Sequence, residues 1–152
     1  MTSKRFGFTL IELLIVFAIL GIFAAISVTI LNNARIRSRD AKRVSDIQVI
    51  RAALEQHWLR NASYPLQSET LRLGGEGATV LTSHGFEDAS SGEVYLANVP
   101  TDPRSHWGYY YFSDSPGIGY SLQFQTEGDT IFGAPGLYYG HSGEIDSDST
   151  VK

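Results

Sequence analysis

The 152-residue chain contains no cysteine and only one methionine. Disulfides, thiolate metal sites and cysteine nucleophiles are therefore excluded. Proline is scarce, and none occurs before Pro65, so nothing in the first 64 residues forces a helix to break. The four histidines (His57, His84, His106 and His141) lie far apart, without the HExxH spacing of a zinc site. Gly140-His141-Ser142-Gly143 is not a nucleophile elbow. The Gly74, Gly75 and Gly77 cluster lacks the Lys-Ser/Thr follower of a phosphate-binding loop. A net charge of −4 excludes a uniformly basic nucleic-acid binder. With 43% hydrophobic residues, the length fits one domain with a modest core.

What is present is distributed in three zones. Residues 8–31 hold nineteen Phe, Leu, Ile, Val or Ala, interrupted only by Thr9, Glu12, Gly21, Ser27 and Thr29. A helix of 24 residues reaches about 36 Å at 1.5 Å per residue, and about 20 apolar residues cross a bilayer. Residues 35–60 are basic, with seven Lys or Arg against three acidic residues. Residues 61–152 are acidic, with three basic residues against twelve acidic ones. A conventional secretory signal has an apolar region of about 7–15 residues and a small-residue cleavage site; this run is longer and no such site follows it. The pattern predicts a single N-terminal membrane anchor.

Glu12 is the only charge inside that anchor. A carboxylate there costs about 2.5–3.5 kcal/mol at the bilayer centre and calls for a partner, yet residues 8–31 contain no Lys or Arg. Cleavage just before Phe8 would create an α-amino group one helical turn away. The run Gly7-Phe8-Thr9-Leu10-Ile11-Glu12-Leu13-Leu14-Ile15-Val16 resembles the processing motif of type IV prepilins and type II secretion pseudopilins. The resemblance implies that residues 1–7 form a leader, removed between Gly7 and Phe8 by prepilin peptidase. It also implies that Phe8 becomes N-methylated and that Glu12 neutralises the N-terminus of an adjacent subunit in a filament. Many members carry a proline soon after Ala24-Ala25-Ile26; here Ser27-Val28-Thr29 follows, so no built-in kink is expected. The family orientation, leader inside and body outside, runs against a simple count of positive charge, since residues 35–43 hold more Lys and Arg than residues 1–7.

Beyond Leu31 the apolar residues Ala41, Val44, Ile47, Ile50, Leu54 and Trp58 recur every three or four positions, predicting a helix face against a sheet. Asp40/Arg43 and Arg51/Glu55 are expected as ion pairs on its exposed side. One helix should run from about Phe8 to Leu59 or Arg60, with Asn61 as its C-terminal cap. Residues 66–92 read as a variable loop holding a short helix. Strands are expected at 93–99, 109–112, 120–124 and 137–139, and a frayed polar tail at 147–152. The fold class is α+β, a helix across a small antiparallel sheet. Its zones are 1–7 leader, 8–31 membrane or filament-core helix, 32–60 amphipathic helix and 61–152 head. The exit Asn61-Ala62-Ser63-Tyr64-Pro65 and the segment Val99-Pro100-Thr101-Asp102-Pro103 also resemble pseudopilins.

The resemblance further implies partners: other copies of the chain and related pilins, an assembly ATPase and a platform membrane protein. It places the chain in a bacterial cytoplasmic membrane with the head outside, then in a periplasmic pseudopilus or extracellular pilus. Within the family a secretion pseudopilin is favoured over a minor pilin acting as a binding module, and a signal-anchored enzyme is remote. No cofactor is expected apart from calcium, for which Asp129, Glu144, Asp146 and Asp148 are the candidate ligands, oxygen donors being what calcium takes. The basic run from Arg35 to Arg43 has three readings: a solvated face, a lipid-headgroup contact, or a surface meeting acidic heads of neighbouring subunits. DNA binding is not expected.

Overall fold

A computed structural model describes residues 7–89, 91–114 and 116–152; residues 1–6 of the expected leader lie outside the described residues. The chain divides into two compact units, Met1–Ile36 and Arg37–Lys152. A single helix, α1 (Leu10–Asn61), runs through both without interruption, as the lack of proline before Pro65 allows. It ends one residue later than expected. Ala62, not Asn61, adopts the left-handed conformation (φ 54°) that stops the helix, and its amide still donates to the Trp58 carbonyl at 2.8 Å.

In the second unit two antiparallel sheets face α1. The larger comprises β1 (Gln67–Arg72), β5 (Tyr110–Ser113), β6 (Ser121–Gln125), β7 (Leu137–Gly140) and β8 (Ile145–Asp146), in that spatial order. The smaller places β2 (Val80–Thr82) between β3 (Gly85–Glu87) and β4 (Val94–Leu96). The β5–β6 hairpin matches the aromatic strands expected at 109–112 and 120–124, in the register Tyr111 to Leu122.

Three expectations need correction. Residues 66–92 hold three strands and, among the described residues, no helix; their many polar side chains obscure the strands because those strands are short and half-solvated. The strand expected at 93–99 contracts to Val94–Leu96, and β7 is followed by β8 rather than closing the sheet. The tail is docked, not frayed: Tyr120 N donates to the Lys152 carbonyl at 3.2 Å, and Asp148 O accepts from His141 Nε2 at 3.0 Å.

The core joins Ile47, Ile50, Ala53 and Leu54 of α1 to Tyr111, Leu122, Phe124 and Tyr138 of the large sheet and to Tyr109 and Tyr120, which immediately precede β5 and β6. Its tyrosines bury their rings while their hydroxyls find partners. Tyr109 donates to Asp46 at 2.9 Å, Tyr111 to the Pro65 carbonyl at 2.8 Å and Tyr120 to the His141 carbonyl at 3.1 Å. Burial, reinforced for Tyr109 by Asp46, raises the pKa of both Tyr109 and Tyr111. Two of the four histidines, His57 and His141, are buried.

The buried stripe of α1 is Asp40, Arg43, Ile47, Ile50, Ala53, Leu54 and His57. Compared with the predicted stripe it is rotated by one residue at the start of the head. Ala41 lies exposed and Val44 half-buried, while Asp40 and Arg43, expected outside, point inward. Asp40 and Arg43 do pair, at 2.7 Å, but inside the fold rather than on the exposed side; Arg51 and Glu55 do not, since Arg51 donates to the His141 carbonyl at 3.0 Å and Glu55 accepts from the Tyr64 hydroxyl at 2.9 Å.

Candidate assembly site

The N-terminal unit is a helix whose whole apolar surface faces outward. Thr9 precedes its first residue and caps it: Thr9 Oγ1 accepts from Glu12 N at 3.3 Å, and the Thr9 carbonyl accepts from Leu13 N at 3.2 Å. Thr9-Leu10-Ile11-Glu12 is thereby a capping-box sequence, with Glu12 in the first turn where the helix dipole favours negative charge. Among the described residues no cation pairs with the Glu12 carboxylate. Phe8 is 79% exposed, and every large apolar residue from Leu10 to Leu31 is exposed. A helix apolar on all sides needs lipid or other helices around it. Its remaining polar side chains are satisfied within the helix, as a membrane segment requires: Ser27 Oγ donates to the Phe23 carbonyl at 2.7 Å and Thr29 Oγ1 to that of Ala25 at 3.4 Å. The small residues Ala18, Gly21 and Ala25 lie on this exposed helix, where they permit close helix approach.

The basic run separates into two groups. Arg43 is fully buried and meets three carboxylates. Its Nε and Nη2 fork onto Asp102 at 2.7 and 3.0 Å, while Nη1 donates to Asp40 at 2.7 Å and to Glu127 at 2.8 Å. The guanidinium also lies 4.5 Å from the centre of the Trp107 ring, a cation–π contact. Burial alone would lower the Arg43 pKa, but the hydrogen bonds to Asp102, Glu127 and Asp40 together raise it. Arg39 binds Glu127 through Nε at 2.6 Å, and Arg104 reaches the same carboxylate at 2.6 Å. The Arg39 bonds first and the Arg43 bond next overcome burial and hold Glu127 down at about 2. Asp40 closes the cluster by accepting from the amides of Glu127 at 3.0 Å and Gly128 at 2.8 Å. The cluster pins α1 to the 100–108 and 126–129 loops.

Sequence reasoning missed this cluster, although its signal was present. Positions 40, 43, 47, 50, 54 and 57 repeat at alternating steps of three and four, with Asp40 and Arg43 among them. Asp102 stands in the Val99–Pro103 segment singled out for its resemblance. Its placement rests on Gly74 (φ +69°), where an added Cβ would collide with Thr101 Cγ2. Arg35 and Arg37 form the second group and, among the described residues, enter no ion pair.

Of the four candidate calcium ligands, Asp129 stands apart from the other three. Glu144, Asp146 and Asp148 converge on the Lys152 ammonium, Glu144 at 3.1 Å and Asp148 at 3.4 Å. Hydrogen bonds from Lys152 and then from the Asp148 amide hold Asp146 down at about 2. Asp129 instead lines a groove beside Arg37 and Val44. Among the described residues no three acidic or histidine side chains are grouped to hold a metal ion.

Comparison with known proteins bears on the N-terminal unit and on the chain as a whole. Residues 2–28 match the prokaryotic N-terminal methylation motif. The type II secretion system core protein G of Escherichia coli K12 is 32% identical over 116 residues, 76% of each chain. That of Pseudomonas aeruginosa is 34% identical over 116 residues, 75% of this chain and 76% of the relative. That of Klebsiella michiganensis is 31% identical over 134 residues, 88% of each. No solved structure matches the chain significantly. With the methylation motif at its start, an apolar helix behind it and these relatives along most of its length, the chain belongs to the family of type II secretion system core protein G, the pseudopilins among type IV filament subunits.

Proposed function

We propose that this filament subunit is made as a membrane precursor, cut between Gly7 and Phe8 by prepilin peptidase, and methylated on the new Phe8 amine. The head then lies outside the cytoplasmic membrane and the mature chain joins a periplasmic pseudopilus. An assembly ATPase and a platform membrane protein drive extraction from lipid. The protein is structural, with no catalytic step of its own.

The observation that carries this reading is a core-like apolar surface left open around a single carboxylate. Leu10 to Leu31 expose their large apolar side chains, and Glu12 stands in the first helical turn. In lipid or in a packed filament core an unpaired carboxylate is costly. The free amine of a neighbouring Phe8 supplies the missing cation, so correct axial register is the arrangement that neutralises both charges. Thr9 and the helix dipole orient the turn that presents the carboxylate.

Glu12→Ala tests the pairing. Leader removal, followed as a mobility shift on a gel, should proceed as in the parent. The yield of filaments recovered after opening the periplasm should fall at least tenfold. Normal yield from Glu12→Ala would refute the pairing mechanism. For calcium, we propose that Lys152 serves as the internal counter-cation of Glu144, Asp146 and Asp148, so that the head folds without added metal. A rise in melting temperature on adding calcium to the parent would overturn that.

A further inference from the structure

The large sheet has a second face that the core does not use. In β6, Leu122 and Phe124 turn toward α1 and are fully buried, so by strand alternation Ser121 and Gln123 point the opposite way. There a groove of about 310 Å³ crosses the sheet from Thr70 on β1, past Tyr110, Phe112, Gln123 and Tyr139, to Ser149 in the docked tail. None of its lining side chains is charged, although residues 61–152 carry twelve acidic residues against three basic ones. Arg72 and Asp146 end the same cross-strand row, and both are engaged elsewhere. Arg72 donates to the carbonyls of Ser105 and Trp107 at 3.2 and 3.0 Å, and Asp146 pairs with Lys152.

The groove pairs aromatic walls with unpaired polar groups. Tyr110, Gln123 and Tyr139 are direct cross-strand partners. The two half-buried rings therefore flank the amide two strand spacings apart, about 9.6 Å. Ser121 lines the same groove and is only 5% exposed. Its hydroxyl, like the polar side-chain atoms of Tyr110, Gln123 and Tyr139, has no hydrogen-bond partner among the described residues. An anionic ligand would find no cation here, and a purely apolar one would leave the Ser121 hydroxyl and the Gln123 amide unpaired. Tyrosine rings present a negative face, which suits the C–H faces of a sugar, while an amide and hydroxyls both donate to and accept from sugar hydroxyls. We propose that this groove binds a neutral β-1,4-linked glycan. Tyr110 and Tyr139 stack on alternate sugar rings, which in such a chain repeat close to the tyrosine spacing. Gln123 and Ser121 bond the hydroxyls of the sugar between them. The site lies on the sheet face away from α1 and goes beyond the filament reading.

The test is calorimetric titration of chitohexaose, a neutral β-1,4-linked hexasaccharide, into the full chain. The detergent must carry no sugar, since a glycosidic headgroup would compete. The expected result is saturable binding, one hexasaccharide per chain, weakened at least tenfold by Tyr139→Ala and at least threefold by Gln123→Ala. Tyr139→Phe keeps the stacking ring and should bind within about twofold of the parent. Should Tyr139→Ala fail to fold, Gln123→Ala carries the test, because Gln123 is half-exposed on the face away from the core. No heat at millimolar chitohexaose would overturn the site, as would binding unchanged in the alanine variants. Equal affinity for maltohexaose, whose α-1,4 linkages curl the chain, would overturn the match to the strand spacing. Saturable binding of decaproline with none of the sugar would overturn the glycan assignment in favour of an extended peptide.

Discussion

Replacing Arg43 by methionine tests the cluster that fixes α1 to the head. The substitution keeps a long flexible side chain beside Trp107 while removing the cation. It leaves three acidic side chains, Asp40, Asp102 and Glu127, around an uncharged centre; each is less than one-tenth exposed. Removing one partner of a buried ion pair costs about 3–5 kcal/mol, because the charge left behind is uncompensated. Here the loss should fall near the lower end. Glu127 retains Arg39 and Arg104, Asp40 retains the amides of Glu127 and Gly128, and Asp102 retains the amide of Arg104 at 2.7 Å. A value of about 3 kcal/mol lowers the melting temperature of a domain this size by roughly 10 °C.

The assay is thermal unfolding of the full chain in detergent, followed by near-ultraviolet circular dichroism, since Trp107 lies against the substituted side chain. Arg43→Lys supplies the internal comparison. It keeps the charge but loses the two-pronged grip on Asp102, and should recover part of the loss. A melting temperature for Arg43→Met within about 2 °C of the parent would refute the reasoning, since that corresponds to well under 1 kcal/mol. Equal loss in Arg43→Met and Arg43→Lys would refute the part assigned to charge.

Glu127 gives the head a defined acid sensitivity. Its folded-state pKa is depressed to about 2 from an ordinary value of 4.5, so its stabilisation is complete above the unfolded value and is lost as pH falls from about 4.5 toward 2. Melting temperature measured across that window should fall less steeply in Glu127→Gln than in the parent; parallel slopes would count against the assignment. Gly74→Ala should destabilise by more than about 1 kcal/mol, combining a left-handed backbone with contact against Thr101. A denaturation midpoint unchanged from the parent would show that the Thr101–Asp102 turn yields freely.

The anchor and its carboxylate are legible in the sequence because their signals are local. An apolar run with a single charge, a glutamate five positions after a glycine, needs no tertiary information. The β5–β6 hairpin is equally local, two aromatic runs flanking a turn. The head end of α1 is different. Binary patterning assigns Ala41 and Val44 inward because it counts apolarity alone. The fold places Arg43 inward because Asp102 and Glu127, 59 and 84 residues away in sequence, neutralise it there. Three charged partners outweigh two small apolar side chains, and no window short enough to show helical periodicity contains them. The short strands β1 to β3 are hidden for a related reason: their pairing to Tyr110–Ser113 and to one another, not their own alternation, makes them strands.

That sorting of the basic residues also decides how assembly should respond to salt. Seven cations over residues 35–60 suggest a broad electrostatic contact with acidic neighbours, and filaments that loosen in proportion. Arg39 and Arg43 are engaged with Glu127 and Asp102 inside the head, however, Lys42 pairs with Asp46 at 2.7 Å on its own helix, Arg51 donates to the His141 carbonyl, and Arg60 pairs with Glu93 at 3.6 Å. Arg35 and Arg37 remain to face another molecule. Exposed charges are screened beyond about 10 Å at 0.1 M salt and about 3 Å at 1 M, whereas buried pairs are screened far less. Raising salt across that range should therefore release subunits from isolated filaments while the melting temperature of the head holds. Arg37→Glu should flatten the salt dependence, having already removed the screened attraction. A head melting temperature that falls in step with filament loss would place the salt-sensitive charges inside the fold, contrary to the burial of Arg43.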